Sequence, residues 1–309
     1  MRLAAIGAHI PAGRTDAEEV VRAAGGSQME ARVFSKLFGI NQVSASGSDE
    51  SVTSAFEMVL DDLLHKHAGP MPDVAIYVHG LPLQYPEGRS PFNDLSNHPL
   101  LADLRARYEV DQYNCGGMFW ALEMAKSLLR SGLSRSVVLL AGDGHDGLPL
   151  SERYVPGCTL MGEAYCGLIV DNGDIGWHFT PIILNMRPEF CSGRAGSPRE
   201  TQAFFAAHNG MVKTALDAAR FDWTGSSTLL PHNVNQLVWR QMSQSHGLNL
   251  DRVDLGLLPD VGHCYTTDPF VLLFNSLAKT PDHIGDFTLL SVGMGAFVGA
   301  CQLNQPTFC

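Results

Sequence analysis

The chain has 309 residues, 45% of them hydrophobic and 17% charged, which is enough apolar material for one large core or two fused half-domains and excludes a disordered composition. A formal charge of −11 and the lack of any Lys/Arg run exclude a general nucleic-acid surface, which needs clustered cations against phosphate. The apolar start meets Pro11 and Gly13 early, and no segment approaches the roughly 20 apolar residues of a spanning helix, so neither a signal peptide nor a membrane span is expected. Seven cysteines without framework spacing point to a reducing compartment, and the cytoplasm is the expected location.

In chain order, a strand VAIYVHG (74–80) leads through a loop-rich stretch to YNCGGMFWALEMAKSLLRSG (113–132), which enters a helix, and then to strands VVLLAGDG (137–144) and CGLIVDNG (166–173). Further on come strand STLLPHNVN (227–235), helix QLVWRQMSQSHGL, the helix-forming VGHCYTTDPFVLLFNSLAKT (261–280), and strands FTLLSVGMGAF (287–297) and VGACQLN (298–304). Apolar strands alternating with helices give an α/β class with mostly parallel sheets. The same order of elements occurs twice without sequence identity, so the chain is expected to divide into similar halves, 1–173 and 174–309. Cys115 and His263 then occupy equivalent places. His232 and the glycines of VGMGAF follow their strands, and all four features fall at strand ends, where open α/β sheets hold ligands.

Cys115 stands at the start of a helix that reads as apolar on nearly every face and therefore as buried. Unpaired backbone N–H groups and the positive end of the helix dipole favour a thiolate there, so Cys115 is the candidate nucleophile rather than one more buried cysteine. His232, after Pro231 and three residues before Asn235, is placed to shuttle a proton or donate to an oxyanion; a helix-capping role is the plainer alternative. The same two readings apply to His263. Gly295 lets the backbone approach a substrate and offer an N–H beside that of Cys115, although any tight turn gives such a glycine pattern.

Taken together, NCGGMFWAL around Cys115, PHNVN at His232, GH before a helix at His263 and the closing SVGMGAF resemble the 3-oxoacyl-ACP synthase III branch of the thiolase superfamily. FGINQ, SVTSAFEMVLDDLL, LMGEAYCGLIV and HNGMVKTALDAA are similar to further segments of that family, so the likeness covers nearly the whole chain. It implies a five-layer αβαβα fold, a homodimer, and acyl-CoA or acyl-carrier-protein thioesters as substrates with no bound cofactor or metal. It further implies that Cys115 accepts the acyl group, that His232 is the family histidine, and that His263 replaces the family asparagine. Two histidines then hold the enolate formed when a malonyl thioester loses carbon dioxide, and the carbanion attacks acyl-Cys115. Asn209, Lys213 and Asn235 match positions beside the pantetheine arm, against the alternative of a solvated helix face.

The chain departs from the family in several places. Leu237 replaces an arginine that contacts carrier protein, Glu163 and Tyr165 interrupt a small-residue strand, and Tyr265, Thr266, Thr267 and Asp268 replace small residues after His263. These departures fit specialised metabolism and leave open a transfer of the acyl group to a hydroxyl or amine without decarboxylation. A non-catalytic partner subunit is a third reading, and a thiol hydrolase is disfavoured by the buried nucleophile of this architecture. Arg32 and Lys36 are candidates for CoA phosphates but read first as solvated cations. Cys166, Cys264, Cys301 and Cys309 read as structural, and Asp143, His145 and Asp146 as a polar loop rather than a ligand cluster.

Overall fold

A computed structural model describes residues 1–81, 90–145, 147–225, 227–279 and 285–305. Ten strands hydrogen-bond into one sheet: β1 (Arg2–His9), β2 (Val74–Val78), β3 (Ala106–Val110), β4 (Ser136–Gly142), β5 (Tyr165–Asp171), β6 (Trp177–Phe179), β7 (Ile183–Met186), β8 (Thr228–Pro231), β9 (Phe287–Gly293) and β10 (Phe297–Asn304). Their order is β8-β9-β10-β6-β1-β5-β4-β2-β3, with β7 also on β10. On one side β1, β2, β3 and β4 share a direction and β5 reverses it; on the other β6, β7, β8 and β9 share a direction and β10 reverses it. Each side is therefore mixed, with four of its five strands running the same way, as the sequence pattern anticipates. The two sides meet where Arg2 and Leu3 pair antiparallel with His178 and Trp177.

Five long helices complete the layers: α1 (Val52–Lys66), α2 (Gly117–Arg130), α3 (Pro198–Ala218), α4 (Gln236–His246) and α5 (Asp268–Lys279). Alternate residues of the central strands face different layers, which is why β2, β4, β5 and β9 are buried throughout, whereas the edge strand β3 exposes Arg107, Tyr108 and Glu109. Val74, Ile76 and Val78 of β2 join the core around Met118 and Leu122 of α2, whereas Ala75 and Tyr77 face Phe56 and Leu60 of α1. On the far side Leu289 of β9 joins that same central core, and Leu290 and Val292 pack with Met211 and Val212 of α3 and Trp239 of α4. The order of layers is thus α1, sheet, α2 with α5, sheet, and α3 with α4.

The middle layer positions the site. Phe119 of α2 and Phe270 of α5, both wholly buried, meet with ring centroids 5.5 Å apart, and each contributes roughly 2 to 3 kcal/mol by leaving water. Gly117 allows α2 to start against β2, because a Cβ there would lie 2.8 Å from Cγ1 of Val78. One expectation needs correction: α2 is not buried all round. Met118, Phe119, Ala121, Leu122, Ala125 and Leu129 are buried, whereas Ser127 and Arg130 are exposed, so the helix presents one core face and one partly covered face.

Candidate active site

The chain reaches Cys115 through two left-handed residues, Tyr113 at φ 74 and Asn114 at φ 45, followed by a single 3₁₀ turn over Asn114–Gly116. Such conformations cost about 1 to 3 kcal/mol each in non-glycine residues and persist only where packing fixes them. Here the Tyr113 ring stacks on Trp120 at 5.3 Å and leans on Phe297 at 5.0 Å. From the other side Gly293 presses on the turn, since a Cβ on it would come within 2.9 Å of the Cys115 nitrogen. The result is a sharp elbow that turns the Cys115 side chain toward a cavity while leaving it only 5% exposed.

His263 arrives at the same place from the other side. Gly262 and the left-handed Tyr265, at φ 55, bracket a turn that leads into α5. His263 Nε2 lies 3.2 Å from Cys115 Sγ, and His263 Nδ1 lies 2.5 Å from Oδ2 of Asp268. Asp268 is itself fixed: the Asn233 backbone N–H donates to Oδ2 at 2.6 Å, and the Cys264 N–H donates to Oδ1 at 2.8 Å. The arrangement has the geometry of a thiol, an imidazole and a carboxylate that orients the imidazole. Burial pushes the His263 ring toward its neutral form, but the Asp268 carboxylate and the Cys115 sulfur outweigh it and hold the ring up at about 10. The imidazolium is therefore the favoured form at neutral pH. The two turns also brace each other, because the Met118 N–H donates to Oγ1 of Thr266 at 2.8 Å.

His232 sits differently from the expectation. It is wholly buried, its Nε2 lies 3.2 Å from Nε2 of His208, and its ring centre is 6.5 Å from that of His263. His208, not His232, lines the cavity, and of the two histidines expected beside Cys115 it is His263 that lies within hydrogen-bond reach of the sulfur. Burial drives both rings of this pair to the neutral form: His208 falls to about 4, and His232 lies well below its ordinary value, with His208 and His263 adding repulsion. Nothing in the sequence singles out His208, which lies on α3, 24 residues before its partner.

The cavity has a volume of about 280 Å³ and a mainly apolar wall that includes Phe38, Leu81, Val155, Phe204, Met294 and Leu237. Asn209 lies on it and donates to Oε1 of Gln241 at 3.0 Å. Asn235 lies on it too, but its amide is committed at both ends: Oδ1 caps α4 through the Val238 N–H, and Nδ2 donates to the Cys158 carbonyl. Lys213 is outside it, paired with Asp217 at 2.5 Å and lying over Trp223. Gly295, at φ 97, borders a neighbouring hollow with Phe190 and Glu200; within its loop Gly293 is the residue against Cys115. Arg32 and Lys36 are exposed.

The segment read as a polar loop is instead buried behind the site. Asp143 accepts the N–H groups of Gly80 and Leu81 at 2.8 and 2.6 Å, fixing two residues of the cavity wall, and burial raises its carboxyl to about 6 against those bonds. His145 Nε2 bonds the Tyr265 hydroxyl at 3.1 Å, and Glu163 is ion-paired with Arg153. Asp146 and Cys309 lie outside the described residues. Cys166, Cys264 and Cys301 are buried, and burial pushes each thiol upward, as suits structural cysteines. A further cysteine, Cys158, lines the cavity, and its thiol is pushed up to about 12 by burial and by Cys115. Among the described residues no group of three or more side chains of metal-binding type is gathered, and no helix is long and apolar enough to cross a membrane.

No protein-family model and no curated relative matches the chain. Solved structures do. Beta-ketoacyl-[acyl carrier protein] synthase III from Thermus thermophilus is 17% identical at TM-score 0.80, with 99% of each chain covered. An acyltransferase, ChlB3, is 21% identical at TM-score 0.79, covering 99% of this chain and 98% of that one. An OleA variant from Xanthomonas campestris is 12% identical at TM-score 0.80, over 98% and 96%. The fold is thus the thiolase-type fold of the synthase III structures, in agreement with the resemblance drawn from the motifs.

Proposed function

We propose that the chain is an acyltransferase that carries its acyl group as a thioester on Cys115 and passes it to a hydroxyl or amine acceptor. The observation that carries this is the line from Cys115 through His263 to Asp268, with the carboxylate 2.5 Å from Nδ1 and Nε2 3.2 Å from the sulfur. A thiolate beside an imidazolium attacks the thioester carbonyl, and the departing thiol takes its proton from His263 Nε2. His263 is then neutral and oriented by Asp268, so it removes the acceptor's proton as the acceptor attacks acyl-Cys115. The Cys115 N–H is the nearest donor for the oxyanion, and one such donor typically supplies about 3 kcal/mol to a transition state.

Decarboxylative condensation with a malonyl thioester is the second reading. The neutral pair His208 and His232 favours it, because a neutral imidazole N–H is the kind of donor that holds an enolate oxygen. The fold, shared with beta-ketoacyl synthase III and OleA as well as an acyltransferase, suits either chemistry. Acyl-CoA or acyl-carrier-protein thioesters are the donors in both, from the cytoplasm and in a homodimer, with no metal or bound cofactor in the proposed steps. The mainly apolar cavity wall suits an uncharged acyl chain, and Asn209 is placed to meet the polar arm of the donor. Incubation with a panel of acyl-CoAs, followed by intact mass, should show one acyl adduct, lost in Cys115→Ala. Adding malonyl-CoA then decides the second step: an adduct that persists without carbon dioxide release supports transfer, and release with a 3-oxo product supports condensation.

A further inference from the structure

We propose that Asn114 is a latch on the nucleophile: its side-chain oxygen takes the place of a substrate's thioester oxygen and holds Cys115 as a thiol until substrate displaces it. Oδ1 of Asn114 accepts the Cys115 backbone N–H at 2.8 Å and lies 3.0 Å from Cys115 Sγ. The orientation of a carboxamide is settled by its partners. A backbone N–H only donates, so the atom it meets is the oxygen, not the NH2 group. That same oxygen faces the sulfur, and an oxygen bearing only lone pairs is compatible with S–H and repels S⁻. The sulfur therefore donates to Asn114 while His263 Nε2 donates to the sulfur and His263 Nδ1 donates to Asp268.

The latch also occupies the one donor that an acylating carbonyl needs first. The packed turn holds it there: Asn114 is at φ 45, a left-handed conformation that asparagine tolerates better than most residues, and Tyr113 before it, at φ 74, is fixed by stacking on Trp120. Around Cys115 the titratable groups are His263 with Asp268 behind it, Cys158 on the cavity wall, and the neutral His208 and His232. None of them faces Oδ1 in a described hydrogen bond, so Asn114 is the group that meets that side of the sulfur.

The substrate's carbonyl oxygen replaces Oδ1 on the Cys115 N–H, and the released thiol loses its proton to water at the cavity mouth. The thiolate then bonds to the thioester carbon, the carbon–sulfur bond to the donor breaks, and the donor's thiolate takes the Nε2 proton of His263. The proposal rests on Cys115 being the nucleophile, but not on which acceptor follows.

Iodoacetamide alkylation of the full chain, located by mass and compared with Cys115→Ala as background, tests it without a natural substrate. Asn114→Gly keeps the left-handed turn and removes the latch, so alkylation at pH 6.5 should be about tenfold faster and should flatten its rise with pH. Asn114→Asp sets a carboxylate against the sulfur and should slow alkylation by a similar factor. A Gly variant that alkylates at the wild-type rate and with the wild-type pH profile, or more slowly, would overturn the latch, as would an Asp variant that alkylates faster. A purely structural role would lower the melting temperature and leave the pH profile in place, which also counts against it. If no thioester acylates the wild type, the nucleophile reading fails, and the alkylation series still reports on Asn114 separately.

Discussion

The turns that lead into α2 and α5 use one backbone device for two chemical roles. Each helix is preceded by a short 3₁₀ turn containing a left-handed non-glycine residue, and each brings one reactive side chain to the same cavity. They differ in what supports that side chain. Cys115 is held by small residues and aromatic stacking, with Gly116 and Gly117 after it and Gly293 against it, whereas His263 is held by a carboxylate that bonds the ring and two backbone N–H groups. Cys115 is thus positioned by shape and His263 by charge. Substitutions should therefore act on the two turns in different ways.

The largest effect should come from removing either reactive group. Cys115→Ala should abolish the acyl adduct, and His263→Ala should lower its rate of formation by about a thousandfold or more, as in other nucleophile–base pairs, read by mass against time. Next, Asp268→Asn keeps the shape of the base's support and removes its charge. The imidazole then loses its raised pKa and its oriented tautomer, and turnover should fall by about 10³ to 10⁴, with a loss of about 1 to 3 kcal/mol in stability because the new NH2 would face a buried N–H that the carboxylate now accepts. Gly117→Val breaks the turn at Cys115 by shape alone. Its Cβ would meet Val78 at 2.8 Å, so a loss of about 1 to 3 kcal/mol in denaturant unfolding is expected, along with a displaced Cys115.

An effect confined to acid pH lies outside the comparison, at the neutral pair. His208 is depressed to about 4 in the folded chain from an ordinary value near 6.5, and His232 is depressed as well. The unfolded chain therefore takes up protons first as pH falls. Their contribution is fully present above about 6.5 and is lost on going down toward pH 4, on the order of 3 kcal/mol for His208. Asp143 has the opposite sign, since a raised carboxyl favours the folded chain at low pH and loses that contribution as pH rises through about 6. His208→Gln should flatten the decline of stability between pH 6.5 and 4, measured by urea unfolding across that range.

Much of the fold was legible because each strand and each helix start carries its own local signal. The apolar runs at 74–78, 136–142 and 165–171 are strands within one or two residues of their expected ends, whereas the strand expected over 287–297 stops at Gly293, four residues early. Cys115 and His263 were legible as a pair because the order of elements around them repeats. Asp268 was noted only as a departure from a family pattern, since its role depends on a turn that brings a residue five positions on back to Nδ1 of His263. His208 opens the segment HNGMVKTALDAA, from which only Asn209 and Lys213 stand out as candidates, because its meaning arises only when α3 brings it against His232 at the end of β8. His232 stood in a conspicuous motif, and the packing of α3 placed another histidine between it and the cavity. Asp143 and His145 looked solvated because glycines surround them; their burial comes from bonds to Gly80, Leu81 and Tyr265, far away in sequence.

The assignment of His263 with Asp268, in place of His232, as the machinery acting on Cys115 is tested most directly by one time course. Wild type, Asp268→Asn and His232→Ala are each mixed with the same acyl-CoA, and the mass of the Cys115 adduct is followed from milliseconds to minutes. Adduct formation about a thousandfold slower in Asp268→Asn, and within a few-fold of wild type in His232→Ala, is the expected result. The reverse order, with His232→Ala inactive and Asp268→Asn near wild type, would contradict it.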